Sequence, residues 1–159
     1  MDKVSPGGHR PVTVTPLKQY HDEKGGVLHM LRADSPLFRR FGEVYFSIIN
    51  PGIVKGWKRH SRMMQHFACP EGRVKLVFFD NRDGKNSSDA LTVEEIGRPD
   101  RYNLIQVPPM VWYSFKCVSL TASLLANCTD LPHTPEESEE AALDSDWIPW
   151  SWENGSLKT

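Results

Sequence analysis

Short runs along this chain alternate bulky apolar and polar side chains, at the two-residue period of a β-strand. They fall at Val12–Thr15, Val27–Leu31, Glu43–Ile49, Ile53–His60, Met64–Cys69, Arg73–Asp80, Tyr102–Val107, Val111–Val118 and Leu120–Cys128. Turn-forming clusters separate them: Asp22-Glu23-Lys24-Gly25-Gly26, Asn50-Pro51-Gly52, Pro70-Glu71-Gly72, Asn81-Arg82-Asp83-Gly84 and Val107-Pro108-Pro109. Many short strands joined by turns predict an all-β sandwich or barrel. Two short peripheral helices are also expected. One spans Ser35–Phe41, with Ser35 as N-cap and Pro36 opening the first turn. The other spans Thr134–Leu143, capped by Thr134, opened by Pro135 and with Glu136 and Glu137 at the positive end of the helix dipole. The acidic cluster Glu136, Glu137, Glu139 and Glu140 then reads as the solvated face of that helix.

Composition narrows the class. At 159 residues, with 39% hydrophobic and 25% charged residues, the chain suits one domain with its own core. A net charge of −1 gives no basic stripe for nucleic acid. No apolar run reaches the ~18 residues of a membrane span. Cys69, Cys117 and Cys128 lie in apolar strand contexts without metal-ligand spacing, which suggests buried thiols in a reduced, cytoplasmic protein. The expected layout is a flexible leader and first strand over residues 1–18, a single domain over 19–152, and a loose tail over 153–159.

Two strands carry the candidate chemistry. In Glu43–Ile49, Val44, Phe46 and Ile48 share one face, and Glu43, Tyr45 and Ser47 the other. That polar face is either solvated or the lining of a polar barrel interior. In Ile53–His60, Lys58 and His60 share one face, and Trp57 and Arg59 the other. Two bases on one face are either a surface patch on an edge strand or an acid–base site, since imidazole titrates near neutral pH. The pattern Lys58-Arg59-His60 and the later Tyr113 stand where a metal-binding barrel has histidines. Lysine is a poor metal ligand, so neither a metal nor another cofactor is expected. Glycine-rich phosphate loops and nucleophile elbows are absent. The late segment Leu143–Trp152 is rich in tryptophan. It is expected to lid the barrel and to bring Asp146, or alternatively Asp144, to the mouth to orient a histidine.

Several pieces, in order, resemble the dTDP-4-dehydrorhamnose 3,5-epimerase family of metal-free cupins. They are Asp22-Glu23-Lys24-Gly25, Phe41-Gly42-Glu43-Val44-Tyr45-Phe46-Ser47, Lys55-Gly56-Trp57-Lys58-Arg59-His60, Gly72–Arg82, Val107-Pro108-Pro109, Cys128-Thr129-Asp130 and Ile148–Trp152. The resemblance implies a cupin-type β-barrel (jelly roll), a homodimer, and a nucleotide sugar bound in the barrel. It also implies epimerisation next to a 4-keto group, by proton removal to an enolate and proton return. The family's base histidine falls on Lys58, with His60 two positions on. Its tyrosine acid falls on Ala126, a further histidine on Tyr113, and the orienting carboxylate near Asp146. The implied catalytic set is therefore Lys58, His60, Asp146 and Tyr113. The implied substrate contacts are Lys24, Glu43, Tyr45, Ser47, Lys55 and Gln65. With the base and acid replaced, a nucleotide-sugar 3,4-ketoisomerase or a non-catalytic carbohydrate- or nucleotide-binding cupin stays open beside the epimerase.

Overall fold

A computed structural model describes residues 10–84 and 86–159. The expected leader, apart from Arg10 onward, lies outside the described residues. The strands in chain order are β1 (Thr13–Pro16), β2 (Gln19–Asp22), β3 (Gly25–Leu28), β4 (Glu43–Ile49), β5 (Val54–His60), β6 (Gln65–Glu71), β7 (Arg73–Phe79), β8 (Leu91–Gly97), β9 (Asn103–Val107), β10 (Trp112–Cys117), β11 (Ser123–Thr129), β12 (Ser138–Glu140), β13 (Trp150–Ser151) and β14 (Ser156–Leu157). Two five-stranded sheets form the body, in the orders β1-β9-β6-β11-β4 and β12-β5-β10-β7-β8. All their pairings are antiparallel, which gives the expected all-β jelly-roll architecture. The hairpins β2–β3 and β13–β14 sit outside these sheets.

The space between the sheets is graded. At one end it is apolar, filled by Ile49, Phe67, Cys69, Val74, Leu76, Phe78, Ile105 and Leu125. Toward the other end, inward positions on β4, β5, β6 and β11 are polar: Tyr45, Ser47, Lys58, His60, Gln65 and Asn127. The outer face of the second sheet carries a separate cluster of Trp57, Val77, Phe79, Trp112, Ile148, Trp150 and Trp152.

Both expected helices are corrected. Residues 35–41 form a single turn, closed by the Phe38 N–H on the Ser35 carbonyl. The Leu37 carbonyl is taken by the Gln106 side chain and faces the His66 ring, so no helical ladder continues. Residues 134–143 begin as a 3₁₀ turn at Pro135–Glu137 and continue as β12, paired with β5. Glu137 is buried, not solvated. Its carboxylate accepts from the backbone N–H groups of Arg62 and Met63 (the latter 2.7 Å) and from the Arg62 side chain at 3.1 Å. Pulled in by these donors, the chain leaves along the free edge of β5 instead of coiling.

Val12 is buried, and β1, the expected first strand, pairs with β9. The tail folds back, with β14 on β13. β8 is a strand that the pattern did not mark, because Glu94 and Glu95 interrupt its alternation.

Candidate active site

A cavity lies at the polar end, between β4 of one sheet and the β5–β12 edge of the other. Its volume is about 400 Å³, and its lining includes Tyr45, Ser47, Lys55, Lys58, Phe67, Tyr113, Phe115 and Glu140. Such a volume suits a small ligand or part of a larger one.

A β-bulge in β5 decides which bases reach it. Tyr113 pairs with Lys58 and Ser114 with Gly56, so Trp57 has no partner on β10. The Trp57 backbone instead exchanges hydrogen bonds with Ala141, at 3.2 and 3.0 Å. The extra residue shifts the parity of the strand. On either side of the bulge Val54 and Trp57 join the outer cluster, though both also border the cavity, while Lys55 and Lys58 line the cavity and take no part in that cluster. Two lysines three positions apart thus share one face, where strict alternation would separate them. Gly56 permits this at φ +117°, because a Cβ there would stand 2.8 Å from Ser114 Cα.

The expected basic pair is divided between two depths. Lys58 lines the cavity, with its Nζ 3.8 Å from Glu140 Oε1. His60 is 2% exposed and is not part of the lining. Its Nε2 lies 3.1 Å from the Tyr113 hydroxyl, and its Nδ1 is buried without a partner among the described residues. Burial, helped by the neighbouring Lys58 charge, pushes His60 down to about 4, against a smaller opposing effect of Glu137. The imidazole is therefore neutral at pH 7, with one donor and one acceptor nitrogen, and Nε2 can accept from the Tyr113 hydroxyl. Burial also pushes the Tyr113 hydroxyl up, while a hydrogen bond with Gln65 acts in the opposite direction. Tyr113 is then a neutral phenol that stands between the cavity and His60.

A second polar chain crosses from the first sheet. Asn127 Nδ2 donates to Tyr45 Oη at 2.8 Å and to Gln65 Oε1 at 3.0 Å. Tyr45, Ser47 and Lys55 line the cavity as expected, and Gln65 backs it. Lys55 Nζ donates across the gap to the Ile48 carbonyl at 3.2 Å.

Three expected site residues are elsewhere. Asp146 is exposed, beside Trp147, which packs against Phe79 and Trp112 on the outer face; among the described residues no carboxylate bonds to His60. The tryptophan-rich segment covers the back of the sheet, not the mouth. Glu43 is inward on β4 but accepts the His133 N–H at 2.9 Å and does not line the cavity. Lys24 sits in the exposed β2–β3 turn, in a separate groove with Tyr20, His21 and Asp22.

Two site residues were missed. Asn127 is a lone amide in an apolar strand, and that is the signal it left. Ala126, the position matched to the family's tyrosine acid, pairs with Phe46 and Ala68 on the outer face, whereas Asn127 points in. Glu140 was read as helix surface and becomes a cavity residue only once β12 pairs it with Lys58.

An antiparallel two-sheet jelly roll with a polar, lysine-lined cavity at one end gives the molecule a cupin-type architecture. No family model matches the chain. It is 30% identical over 137 residues to a low-salt glycan biosynthesis epimerase of Haloferax volcanii, covering 85% of this chain and 87% of that protein. It is 47% identical to a crystallised dTDP sugar isomerase of Desulfovibrio desulfuricans G20, with a TM-score of 0.85 over 92% of this chain and 94% of that one. The fold is shared further with a 4-keto-6-deoxy sugar epimerase of Streptomyces spheroides, at TM-score 0.75 and 16% identity, covering 98% and 86%. The chain belongs to the dTDP-4-dehydrorhamnose 3,5-epimerase-like family of sugar epimerases and isomerases.

Proposed function

We propose that this protein epimerises or isomerises a nucleotide-linked 4-keto-6-deoxy sugar by moving a proton at the carbon next to the ketone. The observation that carries the reading is the stack of Lys58, Tyr113 and His60 at the polar end of the barrel. Tyr113 oxygen takes the substrate proton while its own proton passes to neutral His60 Nε2, so one C–H and one O–H bond break as one O–H and one N–H bond form. The Lys58 side chain faces the developing enolate oxygen and offsets its charge. Return of the proton along the same route, to the same or a neighbouring carbon, completes the reaction. Tyr45, Ser47, Lys55 and Gln65 are proposed as sugar and phosphate contacts.

A dTDP-linked substrate is favoured by the similarity to the dTDP sugar isomerase. Val44, Phe46 and Ile48, on the outward face of edge strand β4, are exposed and support a homodimer through that strand. The three cysteines are buried and unpaired, which supports a reducing, cytoplasmic setting. No helix among the described residues is long and apolar enough to cross a membrane.

The test is solvent-deuterium incorporation into dTDP-4-keto-6-deoxyglucose, followed by NMR. Incorporation at C3 alone fits a single epimerisation or an isomerisation; incorporation at C3 and C5 fits a double epimerisation. Lys58→Ala and Tyr113→Phe are each expected to slow exchange about 10²–10⁴-fold. Wild-type exchange unaffected by either substitution would remove the assignment.

A further inference from the structure

The bulge in β5 is held from behind by a buried hydrogen-bond chain that runs to the C-terminal hairpin. Ser114 is fully buried, and its Oγ donates to the Lys55 backbone carbonyl at 2.8 Å. The Trp152 ring Nε1–H donates in turn to Ser114 Oγ, also at 2.8 Å. The other buried rings of the outer cluster, Trp57, Trp112 and Trp150, leave their ring N–H without a partner among the described residues. Trp152 is thus distinguished within the cluster by a polar target, and that target is the residue that locks the bulge. Trp152 is itself fixed by the β13–β14 pairing and by the Trp150 ring, whose centroid is 5.7 Å from its own.

Lys55 is the end of this chain. It stands before the bulge, lines the cavity and reaches β4 through the Ile48 carbonyl. Its backbone carbonyl is fixed at the point where the sheet ladder is interrupted, so the direction of its side chain depends on that fixation. We infer that Trp152 and Ser114 are positioning residues for Lys55, and that the C-terminal hairpin tunes ligand binding from the back of the sheet. This rests on the reading of the cavity as a nucleotide-sugar site with Lys55 as a ligand contact.

Phe at 152 keeps the ring and removes the N–H; Ala at 114 removes the relay hydroxyl from a small buried side chain. The experiment measures dTDP binding to the full chain by calorimetry, alongside thermal unfolding, for wild type, Lys55→Ala, Trp152→Phe, Ser114→Ala and the double variant Lys55→Ala/Trp152→Phe. Lys55→Ala is expected to weaken binding about tenfold, and Trp152→Phe and Ser114→Ala by about three- to tenfold. The double variant is expected to bind no more weakly than Lys55→Ala, because both changes act through one residue. Should Trp152→Phe fail to fold, Ser114→Ala carries the same comparison. Wild-type affinity in Trp152→Phe and Ser114→Ala, with Lys55→Ala weakened, overturns the positioning role alone. So does a Trp152→Phe loss that persists in full without Lys55, since the effect would then be general to the fold. Absent wild-type binding, or unchanged binding in Lys55→Ala, overturns the reading of the site as well.

Discussion

His60 illustrates how little a residue's type says before its surroundings are known. The sequence offers a histidine beside a lysine, and either member of the pair is a candidate base. Burial separates them, leaving Lys58 at the cavity and His60 behind Tyr113. The lowered His60 value has a definite sign. The unfolded chain binds the imidazole proton near pH ~6.5 and the folded chain only near 4, so the stabilising contribution of neutral His60 is complete above ~6.5 and is lost as pH falls toward 4. For activity, the expected acid limb of kcat/KM lies near pH 4 and not near ~6.5. A pH–rate profile checks this, and a limb at the ordinary imidazole value would mean that His60 is solvated or is not the proton acceptor. Glu137 makes the opposite point. The turn after His60 pulls it inside, and its bonds from the Arg62 and Met63 N–H groups hold its carboxyl below the usual range despite burial. Its sequence, in an acidic run after Thr134-Pro135, shows only a helix start.

At the scale of the element, β5 was legible as a strand and its bulge was not. Alternation correctly placed Lys58 and His60 opposite Trp57 and Arg59, because those four residues lie on one side of the irregularity. It could not bring Lys55 to the same face, since that requires an unpaired residue at Trp57, and the signal for it is only a glycine at position 56. Gly56→Ala is expected to cost about 1–3 kcal/mol, from positive-φ strain and the clash with Ser114, and to misdirect the lysines. Urea unfolding and dTDP binding measured together test this; a variant with unchanged stability and affinity would show that the bulge is dispensable. β12 is the complementary case. Local helix signals at Thr134, Pro135 and Glu136 lost to a free sheet edge, whose backbone groups the segment Ser138–Glu140 satisfies. That exchange also delivers Glu140 to Lys58.

Over the whole molecule, the same strand that supplies Tyr45 and Ser47 to the cavity turns Phe46 and Ile48 outward at 61% and 66% exposure. The sequence alone admitted either face of β4 as the inner one, and the apolar face proved to be the outer. The proposed homodimer would bury this apolar side of β4, so Phe46→Glu is expected to convert a dimer to monomers in sedimentation experiments without lowering the unfolding temperature of the subunit. A monomeric wild type would exclude that role. The strands of the two main sheets other than β8 and β12, the turn positions, the buried cysteines and the choice of β4 and β5 as the strands of the site were legible in the sequence, because period-two alternation and turn chemistry are local properties. The resemblance to the epimerase family likewise rested on ordered local pieces. Only the tertiary structure decided which side of β4 is inside, that Lys55 and Lys58 share a face, that His60 lies behind Tyr113, and that Asp146 stays on the outside. Each of these depends on pairing between segments far apart in the chain, where burial and hydrogen-bond satisfaction outweigh local preference.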